Sequence, residues 1–212
     1  GTSSSNKRII TSTDNDKTGL TPETYHFARD SALQYSRYSI GRRFGPDNSF
    51  HETAYNIGEG WTGPRRGKNS SDQFSFTLEN LVNNSVPIEL DVVMIGENSQ
   101  NHKVAVSVGP DPSNLTVIDE PEFEGYNRLY YRTTFNSDLL DDSNEMILRL
   151  TTVGFPGVSD NVSHAYIEVR YPQEFDLPFQ ENKIYRLKIS TEGRSFLRVP
   201  TTEPENIRFY DI

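Results

Sequence analysis

Apolar residues recur at every second position in one short run after another: Phe74, Phe76, Leu78; Ile88, Leu90, Val92, Met94; Val104, Val106, Val108; Met146, Leu148, Leu150; Ala165, Ile167, Val169, Tyr171. A period of two puts each set on one face of an extended chain, which is incompatible with a helical repeat. The residues between them, such as Arg149, Tyr166, Glu168 and Arg170, are those of a strand with one wet face. Leu115 to Ile118 and Leu129 to Phe135 read as two more strands, the second rich in Tyr and Thr. Tyr185, Leu187, Ile189, then Leu197, Val199 and Ile207 to Tyr210 complete the set. Turn clusters such as Gly109-Pro110-Asp111-Pro112 and Glu192-Gly193-Arg194 separate the runs. About ten short strands without helical crossovers predict a mostly β protein, an antiparallel β-sandwich of jelly-roll-like type.

The N-terminal part reads differently. Residues 1–24 are rich in Ser, Thr, Asn, Asp and Lys, the composition of a linker, with Ile9-Ile10 as a short edge strand or tether. Thr21-Pro22-Glu23 resembles a helix start, and Tyr25, Phe27, Ala28 and Leu33 follow at roughly helical spacing. The expected organisation is a linker or edge strand over 1–24, an irregular or short-helix segment packing on the sandwich over 25–55, and the sandwich over 56–212. The N-terminal segment is thus expected to be poorly structured or partly helical.

Composition removes several functions. A net charge of −9 repels phosphate backbones, so nucleic acid is excluded as the main partner. Arg42, Arg43, Arg65, Arg66 and Lys68 form one local basic patch, which reads as a solvated loop. The chain has no cysteine, so thiol catalysis, disulfides and Cys-ligated zinc are excluded. No apolar run is long enough to span a bilayer as a helix, and residues 1–20 lack the apolar centre of a signal peptide. A start on Gly1 instead of Met is expected of a piece of a longer protein whose signal has been removed.

No Gly-x-Ser-x-Gly elbow is present, and His26, His51, His102 and His164 lie far apart, reading as surface or strand-end residues. The chain itself is therefore expected to be non-catalytic, without a cofactor site. Calcium is the one ion to consider. Asp119, Glu120, Glu122 and Glu124, and Asp138, Asp141 and Asp142, form acidic loops whose simplest role is solvation. Asp14 to Gly19 opens like a calcium loop, but Tyr25 stands where the bidentate Glu belongs. A glycosidase-type carboxylate pair is the least favoured reading, since nothing singles one out.

Trp61, the only tryptophan, lies in Gly58-Glu59-Gly60-Trp61-Thr62-Gly63. It is expected to plug the core, with a sugar platform as the alternative. Trp61, Tyr126, Tyr130 and Tyr131 are the candidate ligand-contact aromatics, and glycan is the partner they would take.

Asn56-Ile57-Gly58-Glu59-Gly60-Trp61, with Phe74-Ser75-Phe76 after a polar loop, resembles the start of the β-sandwich ahead of the peptidase domain in type IX secretion sortases, gingipain-like cysteine peptidases of Bacteroidetes. Ala165-Tyr166-Ile167-Glu168-Val169-Arg170-Tyr171-Pro172 is similar to a strand of that family, with His164-Ala165 in place of its usual Leu-Asp. Ile207 to Ile212 resembles its Tyr/Trp-Asp-Ile/Val strand. The resemblance implies an accessory scaffold or recognition module, extracytoplasmic in the periplasm or at the outer membrane or cell surface. Its partners would be a downstream peptidase domain or other secretion-system proteins. No catalytic residue of the family maps onto this chain, because the His-Cys dyad would lie outside it.

Overall fold

The alternating runs form strands. The computed structural model describes residues 18–19, 21–82 and 85–175. Its strands are β1 (Tyr25–Leu33), β2 (Arg37–Ile40), β3 (Arg43–Phe44), β4 (Phe50–His51), β5 (Glu59–Thr62), β6 (Arg66–Gly67), β7 (Ser71–Thr77), β8 (Ile88–Gly96), β9 (Asn101–Gly109), β10 (Thr116–Asp119), β11 (Glu122–Glu124), β12 (Arg128–Phe135), β13 (Glu145–Thr152) and β14 (Asn161–Glu174). Two main antiparallel sheets run β1-β14-β8-β12 and β10-β9-β13-β7. Counting β1, β7, β8, β9, β10, β12, β13 and β14 as first to eighth, the orders are 1-8-3-6 and 5-4-7-2. That interleaving of first with last is the double Greek key of a jelly roll.

Leu90, Val92, Met94, Ile167 and Val169 from the first sheet meet Val104, Val106, Val108, Leu148 and Leu150 from the second, and all are buried. Each is one of the alternating residues, so the sequence period and the sandwich interior coincide.

The short helix expected after Thr21 is absent. Residues 25–33 form β1, which pairs with β14 in unbroken register from Tyr25 opposite Glu174 to Leu33 opposite Tyr166. Nine cross-strand pairs and an inward row containing His26, Ala28 and Ala32 outweigh a weak local helix signal. The segment 25–55 is therefore partly a strand of the sandwich. The strands expected at Tyr185, Leu197 and Ile207, the Ile9-Ile10 pair and most of the 1–24 linker lie outside the described residues.

Three of the four histidines are interior, contrary to expectation: His26, His102 and His164 are buried. His102 on β9 has Nδ1 2.5 Å from Asp160 Oδ1 and Nε2 2.8 Å from the Gly125 carbonyl. The same Asp160 accepts the Lys103 amide at 3.2 Å, so one carboxylate secures the loop before β14 to β9. Gly96 makes room for this clamp, since a Cβ there would lie 2.4 Å from His102 Nε2 and 1.9 Å from the Gly125 oxygen. His164 on β14 meets Asp72 of β7, in the other sheet, at 2.8 Å, and Arg66 Nε donates to that carboxylate at 2.6 Å. Tyr131 of β12 likewise donates to Asp119 of β10 at 2.9 Å. Paired in this way, His102 and Tyr131 are satisfied across the interior, while His164 keeps its Nδ1 on Asp72 and leaves its buried Nε2 without a hydrogen-bond partner among the described residues.

Leu90→Ala, which empties a site at the centre of the core, is expected to cost about 3 kcal/mol in urea unfolding. For Asp72, burial alone would raise the carboxyl, but hydrogen bonds and charge from His164 and Arg66 outweigh it and hold the group below its usual 3.8. A depressed carboxylate contributes fully above the unfolded value, and its contribution is lost as pH falls through the folded one. Asp72→Asn should therefore be less stable than the parent by about 2 kcal/mol near neutrality. Urea titrations over a pH series should show the gap closing as pH falls below the usual carboxylate value of 3.8.

Candidate ligand-binding face

Strand pairing decides what the outward side of the β1-β14-β8-β12 sheet displays. Leu33, Tyr166, Val93 and Tyr130 are cross-strand partners in succession and form one row over all four strands. The next row is Ser31, Glu168, Asp91 and Arg132, and the one after it Arg29, Arg170, Glu89 and Thr134. An apolar and aromatic row thus lies against two charged ones. Leu33 is 66% and Tyr130 68% exposed, one at each edge of the sheet, while Tyr166 and Val93 between them are half-buried.

The charged rows are internally compensated. Arg132 binds Asp91 through two nitrogens at 2.5 and 2.7 Å, Arg170 grips Glu89, and Arg29 Nη1 is 3.6 Å from Glu168. The Tyr166 hydroxyl donates to Glu168 at 2.6 Å, and this hydrogen bond, with burial behind it, pushes the phenol up to about 12. The Arg132 hydrogen bonds hold Asp91 below the usual carboxylate range. The side chains of this lattice are fixed in place and keep lone pairs and N–H groups turned to solvent.

On the other side of the aromatic row a second layer rises. Ala165 is an extra residue in β14: His164 pairs with Met94 and Tyr166, not Ala165, with Val93. The bulge frees carbonyls from the ladder. The His164 oxygen accepts the Gly63 amide at 2.9 Å and the Thr62 hydroxyl at 3.0 Å, and the Ala165 oxygen accepts the Gln34 amide at 2.8 Å. At its other end β5 is held by Arg128, whose Nη2 donates to the Glu59 carbonyl at 2.6 Å. Strand β5 therefore crosses the sheet alongside the aromatic row, with Thr62 buried beneath it. Strand β2 pairs with β5, and its Arg37 forms an ion pair with the mostly buried Glu97, which also accepts the Ser163 hydroxyl at 2.8 Å.

Trp61 and Tyr38 are paired across β5 and β2, on the side opposite the buried Thr62 and Ser39. Their rings pack edge to face with centroids 5.6 Å apart, yet Trp61 remains 63% exposed. Trp61 is thus no core plug. In β5 the residue facing the sheet is Thr62, so its neighbour faces out. Tyr130 shares the open face, and Arg128 Nη1 donates to its hydroxyl at 2.9 Å while lying over its ring at 5.8 Å. Arg128, held above its ordinary range by that bond and by the Tyr55 hydroxyl, ties floor to wall. Tyr131 points the other way, into the core. Tyr126 is half-buried in the loop before β12, and its carbonyl backs onto Gly58, where a Cβ would lie 2.1 Å from it. Of the four candidate aromatics, two share the open face. Leu33, Tyr38, Tyr166 and Arg128 were not singled out from sequence; for Tyr166 the alternation along β14 already marked an outward position.

The acidic loops are engaged elsewhere. Lys103 Nζ lies 2.9 Å from Glu122 and 3.6 Å from Glu120, Asp119 holds Tyr131, and Asp141 accepts the Ser143 amide at 2.9 Å. Among the described residues no three His, Asp or Glu side chains converge to hold a metal ion, and no helix is long and apolar enough to cross a membrane.

No family model and no curated protein matches the chain. Solved structures with some likeness include the CBM36-1 domain of a multidomain xylanase from the hindgut metagenome of Trinervitermes trinervoides, at 10% identity over 68% of this chain and 95% of that one, TM-score 0.39. A carbohydrate-binding module CBM36 in complex with calcium and xylotriose matches at 13% over 63% and 97%, TM-score 0.36. The Tobacco streak virus coat protein matches at 13% over 77% and 96%, TM-score 0.33. Likeness at this level carries no argument about function, which rests on the residues themselves.

If Arg128 is what holds β5 down, Arg128→Ala should speed amide hydrogen exchange across Glu59–Thr62 while leaving β8 and β13 protected. Unchanged exchange in β5 would show that the bulge contacts suffice.

Proposed function

We propose that this chain is a carbohydrate-binding module, non-catalytic in itself, acting outside the cytoplasm. The observation that carries the reading is the exposure of Trp61, Tyr38 and Tyr130, the first two packed edge to face on the β5–β2 layer and the third on the sheet that this layer crosses, beside a lattice of compensated charges. Large aromatics are seldom left in water as a contiguous group without a partner. Flat rings offer the apolar faces of sugars a stacking surface, and planar Asp, Glu and Arg groups match hydroxyls as paired donors and acceptors. A setting beside a peptidase domain in a longer secreted protein, as the resemblance of β14 implies, would suit such a module.

Electrophoresis through native gels containing xylan, cellulose ethers, β-glucan, mannan or polygalacturonate tests the reading. At least one polysaccharide should retard the protein. Trp61→Ala and Tyr130→Ala should each weaken that binding by about 2 kcal/mol, roughly thirtyfold, with unchanged melting temperature. Migration unaffected by every polysaccharide would refute a glycan-binding role.

A further inference from the structure

We infer that the face takes the interior of an extended, neutral polysaccharide, lying across the strands along the row Leu33–Tyr166–Val93–Tyr130. This rests on the carbohydrate-binding reading and specifies its ligand. The row crosses four strands, so it spans three inter-strand spacings, roughly 14 Å. In an extended chain of equatorially linked sugars each ring advances about as far as one strand spacing, so successive rings stay in step with successive strands. Tyr166 and Tyr130, two strands apart, then stack alternate rings.

Three features select this ligand. First, the trough has a direction, because β5 runs along one side of the row and Glu168, Asp91 and Arg132 along the other. A polymer fits between them only across the strands. Second, among the described residues both ends are open. The row ends on β1 and β12, the outer strands of the sheet, at its two most exposed members, so a chain can enter over Leu33 and leave over Tyr130. A site for chain termini needs a closed end; the depression on this face lies instead beside the row, lined by Arg29, Glu89, Asp91, Arg132, Glu168 and Arg170. Third, those three arginines and three carboxylates balance, and Arg128 is occupied by Tyr130 and the Glu59 carbonyl. None of these four arginines is left over for a uronate or sulfate, and the net charge of −9 opposes any polyanion.

The test is calorimetric titration of the whole chain with xylo-, cello- and manno-oligosaccharides from two to six sugars, native and with the reducing end capped by an amine-linked fluorophore. In the series that binds, affinity should rise about tenfold or more between two and four sugars and then level off, and capping should not change it. Leu33→Glu, at an exposed position on the sheet edge, should remove the gain for longer oligosaccharides without lowering the melting temperature. Polygalacturonate should not bind. A length-independent affinity, loss of binding on capping, preference for polygalacturonate, or an inert Leu33→Glu would each overturn the inference while the carbohydrate-binding reading stands. Binding of no saccharide of either kind would overturn both.

Discussion

The bulge at Ala165 is the point on which the two halves of this structure depend. Strand β14 is paired along both edges, with β1 and with β8, and its inward residues Ile167, Val169 and Tyr171 form the middle of the core. One inserted residue shifts the register, so that His164 faces inward to Asp72 while Tyr166, two positions on, faces outward. The same irregularity releases the carbonyls that bind Thr62, Gly63 and Gln34. A single local defect in the ladder thus joins the two sheets on the inside and anchors the β2–β5 layer on the outside.

That defect also marks the boundary of what could be read from sequence. Away from bulges, alternation located the described strands β7, β8, β9, β13 and β14 and most of their core residues, because side chains in an unbroken strand have only two directions. Beyond the bulge the parity rule inverts. By strict alternation with Tyr166, Glu168 and Arg170, His164 belongs to the wet face, in keeping with its reading as a surface or strand-end residue, yet it is buried against Asp72. Its partner is ninety-two positions earlier, and no local signal connects them. The helix expected after Thr21 fails for a related reason: β1 exists because β14 offers it a full-length edge.

Trp61 shows the opposite limit. Among its glycine-rich surroundings, Gly58 packs on the Tyr126 carbonyl. Whether the indole faced in or out depended on β5 lying over the sheet as a third layer, a tertiary fact. Of Tyr130 and Tyr131, adjacent and alike in sequence, one must face out and the other in; alternation required the split but did not say which was which. The aromatic row itself is composed of one residue from each of four strands, so its existence depends wholly on register.

A binding face made from register gains rigidity in return. Each member of the aromatic row sits on a strand whose backbone is fixed by pairing, and the neighbouring charged side chains are held by one another. Surface ion pairs of this kind add little to stability. Their effect is better sought in entropy, since side chains already ordered in the free protein lose less freedom when a partner arrives. Tyr166, tethered to Glu168, and Tyr130, tethered to Arg128, are restrained in the same way before any ligand is present. Arg128 extends that restraint from the floor to the wall, because the guanidinium that fixes Tyr130 also fixes the backbone of β5 beneath Trp61. The exposed rings are therefore parts of one preorganised surface, which is the condition under which a few stacking contacts can hold a ligand as flexible and well hydrated as a polysaccharide.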